Sequence, residues 1–152
     1  MLGLGRQRGY TLLELMVTLG IVAILAGVAV PSFNGFIQTQ RLRSAANDLT
    51  TSFNLARSES VKRNVDVLMA PSQVLWSDGW LVKLGDGSTL YESAKLNGVD
   101  VTASANSFTF QSNGRVTSSG TFSLEGVGGS TIAKCVRLKL SGGSVVDEGA
   151  CP

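Results

Sequence analysis

Residues 10–30 read YTLLELMVTLGIVAILAGVAV, an apolar run broken by a single charge at Glu14. Wound as an α-helix at about 1.5 Å per residue, the run extends about 31 Å and matches a bilayer core of about 30 Å. Beyond Pro31 the pattern changes. Phe33, Phe36, Ile37, Leu42, Ala45, Leu49, Phe53 and Ala56 recur mostly three or four residues apart, which predicts one apolar face of an amphipathic helix over residues 32–64. Arg41, Arg43, Asp48, Arg57, Glu59, Lys62 and Arg63 fall mostly off that stripe. Pro31 has no backbone donor and is expected to kink or loosen the helix where its character changes, with Gly35 adding to the effect. Asn64 is the expected stop.

From residue 65 onward the texture is that of β-structure. Short apolar-rich runs at 65–69, 80–84, 99–103, 107–111, 121–124 and 136–140 predict strands. In Val136-Arg137-Leu138-Lys139-Leu140 the apolar and cationic positions alternate, so one set faces inward and the other outward. Asp78-Gly79, Gly85-Asp86-Gly87, Asn97-Gly98, Asn113-Gly114, Gly128-Gly129 and Gly142-Gly143 supply turns between them. The expected fold class is α+β: a long N-terminal helix, membrane-spanning in its first half and amphipathic in its second, packed on an antiparallel β-sheet head over residues 65–152. No repeat or low-complexity linker divides the head.

Composition narrows the chemistry. The chain has 152 residues, 43% hydrophobic but only 16% charged, where soluble domains carry roughly 25% charge. The apolar run accounts for most of that shortfall. Histidine is absent, which removes His-based acid–base catalysis, Ser-His-Asp triads and His-ligated metals. The two cysteines are too few for an all-cysteine zinc site. No phosphate-binding glycine loop or serine-nucleophile motif occurs. The eleven acids stand singly apart from Asp147-Glu148. Asp86, imaginable as a calcium ligand, has no further oxygen ligands at alternate positions and reads as a turn residue. Trp76, Trp80 and Tyr91 read as sheet aromatics rather than a stacking platform. The sequence offers no catalytic residues, so no enzyme, metal, cofactor or small-molecule substrate is expected.

Residues 1–9, MLGLGRQRG, are short and basic through Arg6 and Arg8, a charge placement that holds the leader on the cytoplasmic side and sends residues after Pro31 outward. A signal anchor, or a signal peptide cut near Ala29, fits these features. Glu14 argues against both, because a carboxylate at the centre of a membrane helix costs about 2.5–3.5 kcal/mol. The string Gly9-Tyr10-Thr11-Leu12-Leu13-Glu14, followed by the apolar run and Pro31, resembles the class III leader of type IV prepilins and type II secretion pseudopilins. That resemblance implies that prepilin peptidase cuts between Gly9 and Tyr10 and N-methylates Tyr10. It further implies that Glu14 of an incoming subunit meets the terminal amine of a neighbour. Tyr10 stands where the family usually has Phe and keeps the aromatic ring. The physical chemistry agrees, since an unpaired charge in a dry filament core is costly and a pair is tolerated. Gly20, Ala23, Ala26, Gly27 and Ala29 offer small surfaces for close helix approach, though such residues are also ordinary membrane-helix composition.

Two further strings resemble the FimT/FimU/GspH group of minor pilins and pseudopilins. They are Leu55-Ala56-Arg57-Ser58-Glu59-Ser60-Val61-Lys62-Arg63-Asn64 and Phe108-Thr109-Phe110-Gln111-Ser112-Asn113-Gly114-Arg115. The group implies assembly with the membrane, a major pilin and other minor pilins, or with pseudopilins. The expected location is the bacterial inner membrane with a periplasmic head, then the filament or its tip. In that oxidising compartment a Cys135–Cys151 disulfide is the default, and many pilins carry a C-terminal one. A reactive thiol is the competing reading. Three roles follow: a structural minor pilin that primes or caps a type IV pilus, a type II secretion pseudopilin, or a DNA-binding minor pilin. Loss of the leader removes Arg6 and Arg8 and leaves as many bases as acids. Residues 141–148, where DNA-binding relatives are arginine-rich, carry no base and two acids. Nucleic acid is therefore disfavoured, with Arg115, Lys134, Arg137 and Lys139 as the only candidate patch.

Overall fold

The structure, a computed structural model, describes residues 10–127 and 132–152, and within these the side chains other than those of residues 28–32. The leader with Gly9, the side chain of Pro31 and the Gly128-Gly129 turn lie outside the described residues. The chain divides into two compact units, Met1–Phe36 and Ile37–Pro152. Helix α1 is assigned over Leu12–Arg63.

In the first unit α1 turns its large apolar side chains to the outside of the chain. Leu12, Leu13, Met16, Leu19, Val22, Ile24 and Leu25 are all more than half exposed. Among the described residues no helix is long and apolar enough to cross a membrane. The Cβ positions of Gly20 and Gly27 meet nothing within 4 Å.

In the second unit α1 is amphipathic as its spacing requires. Leu42, Ala45, Ala46, Leu49, Phe53 and Ala56 are buried on one face, whereas Phe33 and Phe36, read as the start of the same stripe, are exposed and belong to the first unit. The helix ends as expected at Asn64, which takes the left-handed conformation with φ 55°. The Asn64 N–H donates to Val61 O and the Val65 N–H to Ser60 O. This pairing closes a Schellman motif and satisfies two otherwise orphaned carbonyls.

Among the described residues the head contains eight strands in two antiparallel sheets: β1 (Val67–Pro71), β2 (Trp80–Leu84), β3 (Thr89–Glu92), β4 (Val99–Ala103), β5 (Phe108–Phe110), β6 (Gly120–Gly126), β7 (Ala133–Leu138) and β8 (Ser144–Glu148). One sheet has the order β3-β2-β1-β5 and the other β4-β6-β7-β8. The expected antiparallel head is thus present but divided. β2 and β4 match their sequence runs, while β1 starts two residues late because the helix cap occupies Asn64 and Val65. β3 and β8 were not anticipated. Both are edge strands, and their mixed exposure gives no clean alternation.

The core lies where the buried helix face meets the inward residues of both sheets. Phe53 on α1 sits 6.3 Å from Phe110 and 5.3 Å from Phe122 by ring centroids, bridging the two sheets. Trp76 meets Phe122 edge-on at 5.0 Å and donates its indole N–H to Ala105 O at 3.1 Å. Trp80 is fully buried and donates its indole N–H to Ser52 Oγ on the helix at 2.8 Å. Both buried tryptophans therefore have their indole N–H satisfied, as burial demands. The Phe108 ring occupies the space that a side chain at residue 120 would fill, which explains Gly120.

Candidate functional site

Two regions carry the residues singled out by sequence. The first is the start of α1. Tyr10 and Thr11 precede the helix, and Thr11 caps it: the Glu14 N–H donates to Thr11 Oγ1 at 3.2 Å, and the Leu15 N–H to Thr11 O at 3.1 Å. Thr11-Leu12-Leu13-Glu14 therefore has the spacing of a capping box, with Glu14 in the first helical turn. Its carboxylate sits where the positive end of the helix macrodipole favours negative charge. The S/T-x-x-E spacing at residues 11–14 is the sequence signal of this cap, and it coincides with the Glu14 of the leader motif. The cap itself is made by the Thr11 hydroxyl on the Glu14 backbone N–H.

The second region is the outer face and the C-terminal edge of the β4–β8 sheet. Cys135 and Cys151 form a disulfide with a Cα–Cα distance of 4.9 Å, so the thiol reading is excluded. β8 pairs with β7 in the register Lys134↔Glu148, Val136↔Val146 and Leu138↔Ser144. Lys134 shares the inward face with Val136 and Leu138. Its side chain is 6% exposed and its ammonium lies 2.5 Å from Glu148 Oε1. That hydrogen bond, with the charge behind it, holds the Glu148 carboxyl below its ordinary value. Arg137 is on the opposite face and pairs with Asp147, Nη2 to Oδ2, at 2.6 Å.

The four cations of the candidate patch are consequently not brought together as one surface. Lys134 and Arg137, three apart on a strand, face opposite ways, and each is neutralised by an acid of β8. Arg137 and Lys139 do line one groove, with Ser104, Ser119 and Thr121. Arg115 lies in the turn after β5, its N–H donating to Asn113 Oδ1 at 2.9 Å. The next residue reaches the Lys139 strand end, the Val116 N–H donating to Leu140 O at 3.0 Å. The hydroxyl-bearing residues of the groove escaped the sequence reading because single serines and threonines carry no spacing signal.

Asp86 closes a turn, as read. Its Oδ1 accepts from the Ser88 N–H at 2.8 Å and from Ser88 Oγ at 2.6 Å, and these bonds lower its carboxyl. Among the described residues no cluster of His, Cys, Asp or Glu is arranged to hold a metal.

Comparison with known proteins places these features in a family. A family model described as type II transport protein GspH matches residues 45–142, and the prokaryotic N-terminal methylation motif matches residues 4–30. The pilin-like protein PilA1 of Thermus thermophilus is 41% identical over 61 residues, covering 40% of this chain and 38% of that protein. The chain spans about a third of the length of the curated relatives it matches. The fold is shared with the type IV minor pilin FimU of Pseudomonas aeruginosa at TM-score 0.63 and 21% identity, covering 74% of this chain and 92% of that one. It is also shared with the minor pseudopilin EpsH of the Vibrio cholerae type 2 secretion system at TM-score 0.56 and 14% identity, covering 72% and 97%. The chain belongs to the family described as type II transport protein GspH and carries the prokaryotic N-terminal methylation motif.

Proposed function

We propose that this chain is a structural minor pilin of a type IV pilus, assembling through its N-terminal helix and priming or capping the filament with a major pilin and other minor pilins. The observation that carries the reading is the apolar surface of α1 in the first unit. Its leucines, valines and isoleucines lie exposed on the isolated chain, and its glycines have open space around them. Such a surface is stable only when covered by lipid or by neighbouring helices. Cleavage by prepilin peptidase between Gly9 and Tyr10, and methylation of Tyr10, place an amine four residues before Glu14. The inner membrane holds the subunit before assembly, and Pro31 and Glu14 act in its transfer to the filament. The pilin-like relative supports the pilus, as does the disulfide-tied C-terminal strand.

A type II secretion pseudopilin is the alternative, favoured by the description of the matching family model. DNA uptake is a weaker one, since two of its four candidate cations are already paired with acids. Quantitative mass spectrometry of sheared surface filaments tests the proposal. A peptide beginning at N-methylated Tyr10, at low abundance beside a major pilin, is the expected result. A processed form confined to the membrane fraction overturns it in favour of the secretion system.

A further inference from the structure

The groove at the end of the β4–β8 sheet has a volume of about 580 Å³, inside the roughly 300–1,000 Å³ range of ligand sites. Its walls are built by the sheet itself. Thr121 and Arg137 are register partners on β6 and β7, and both alternate with the core residues Phe122 and Val136, so both face outward. Ser104 is fixed beside them: its N–H donates to Thr121 O at 2.9 Å, and the Thr121 N–H donates to Ser104 Oγ at 3.0 Å. Asp147 grips one side of the Arg137 guanidinium. A guanidinium has five N–H donors in a planar fork, so one carboxylate orients it without exhausting it. Lys139 is anchored through its backbone, the N–H donating to Gly143 O at 2.9 Å. Its ammonium has no ion-pair partner among the described residues.

Two cations ringed by three hydroxyls select an oxyanion. The surroundings decide what carries it. Asp100 and Glu125 are register partners further along the same outward face, both exposed, and Asp147 borders the groove. A polyphosphate strand lying across the sheet would meet those acids. Two phosphate contacts would also supply little of the counterion-release affinity on which nucleic-acid binding rests. A single carboxylate at the end of a peptide side chain avoids both penalties, entering between Arg137 and Lys139 from above the sheet. We propose that this groove docks an acidic segment, one or two Asp or Glu side chains, of a neighbouring pilin-type subunit. The Arg137 fork takes the carboxylate, Lys139 adds charge, and the hydroxyls of Ser104, Ser119 and Thr121 complete the hydrogen bonds. The inference rests on the reading of the chain as an assembling subunit. The pairs are solvent-accessible, so the contact is weak and sets register rather than driving association.

The test uses the full chain, with its disulfide intact, in detergent micelles at low salt. Fluorescence anisotropy follows binding of a labelled glycine-serine peptide carrying two adjacent glutamates, with a short single-stranded oligonucleotide and inorganic phosphate as competitors. Saturable peptide binding is expected, weakened at least about tenfold in the double variant R137Q/K139Q and unchanged in K83Q, which removes an unpaired cation of the other sheet. K139Q alone, which leaves the Arg137–Asp147 pair in place, is expected to lose several-fold. Thermal melts of the variants confirm that the head is folded. Peptide binding indifferent to R137Q/K139Q overturns the proposal. So does an oligonucleotide that displaces the peptide more tightly and itself depends on Arg137 and Lys139, which reassigns the groove to a phosphate polymer. Calorimetric binding of inorganic phosphate to the chain, without peptide binding, reduces the groove to a small-anion site and overturns the proposal as well. The filament measurement separates the two readings: absence from filaments with peptide binding retained removes the assembly role and leaves the groove. Presence in filaments without peptide binding does the reverse.

Discussion

Lys134 and Glu148 face each other across β7 and β8, the lysine side chain 6% exposed and the glutamate 80% exposed, with their charged atoms 2.5 Å apart. The asymmetry decides what the pair does. The lysine has its stem packed among core residues and its head turned to the sheet edge, where the glutamate meets it. The glutamate remains hydrated throughout. Its carboxyl is held below the ordinary value by the Lys134 hydrogen bond and charge, with Arg43 adding a smaller pull. A depressed carboxyl contributes stability that is complete above its unfolded value and is lost as pH falls through the folded one. Glu59, lowered mainly by its bond to Arg63, acts in the same direction.

The head is therefore expected to weaken in acid, beginning near the ordinary glutamate pKa of about 4.3. Glu148→Gln should lower stability at neutrality, where the pair's contribution is complete, and flatten the slope of stability against pH below about pH 5, so that variant and parent converge in acid. Urea midpoints measured across that range check it. An unchanged acid slope in the variant would show that the pair is not coupled to folding.

Ser52 Oγ on α1 accepts the hydrogen bond of the buried Trp80 indole at 2.8 Å. Ser52→Ala leaves that N–H without an acceptor and is expected to cost about 1–3 kcal/mol. Phe53→Ala, at the junction of helix and both sheets, should cost about 3–5 kcal/mol. Chemical denaturation of the two variants should preserve this order.

Reducing the Cys135–Cys151 bond, or replacing Cys151 by Ser, opens a loop of about 17 residues and is expected to cost roughly 3 kcal/mol in the chain-entropy model. β8 is an edge strand paired only with β7. Hydrogen exchange should therefore find its amides losing protection first, with those of β6 changing only at global unfolding. Uniform loss across the sheet would contradict this.

Capping and intermolecular pairing by Glu14 can be separated. Glu14→Gln keeps the capping-box chemistry but removes the charge, whereas Thr11→Ala removes the cap and leaves the charge. The charge-pairing role predicts filaments that exclude Glu14→Gln and still incorporate Thr11→Ala. The opposite result would assign Glu14 to helix initiation alone. Gel quantitation of sheared filaments against membrane-retained subunit reads the outcome.

The sequence disclosed what long periodicity and strong local chemistry could reveal. The buried stripe from Leu42 to Ala56 and the stop at Asn64 were legible because a helix repeats its signal over many turns. β2 and β4 were legible because burial alternates along them. β3 and β8 were hidden because edge strands bury neither face consistently, so their residues look like loop. The division into two sheets is a property of long-range pairing and leaves no local trace. Among the candidate cations, residue type was visible but partnership was not. The acids of β8, read as merely unfavourable to nucleic acid, turn out to hold Lys134 and Arg137 in place.

The turn between β2 and β3 has one more use. At Gly87, with φ 89°, a side chain would meet nothing within 4 Å, and the neighbouring Asp86–Ser88 bonds close the turn locally. This turn belongs to the sheet that lacks the cationic groove and the disulfide. It is the natural place to insert an epitope or a single fluorophore, so that the subunit can be located along a filament without disturbing the surfaces by which it is held there.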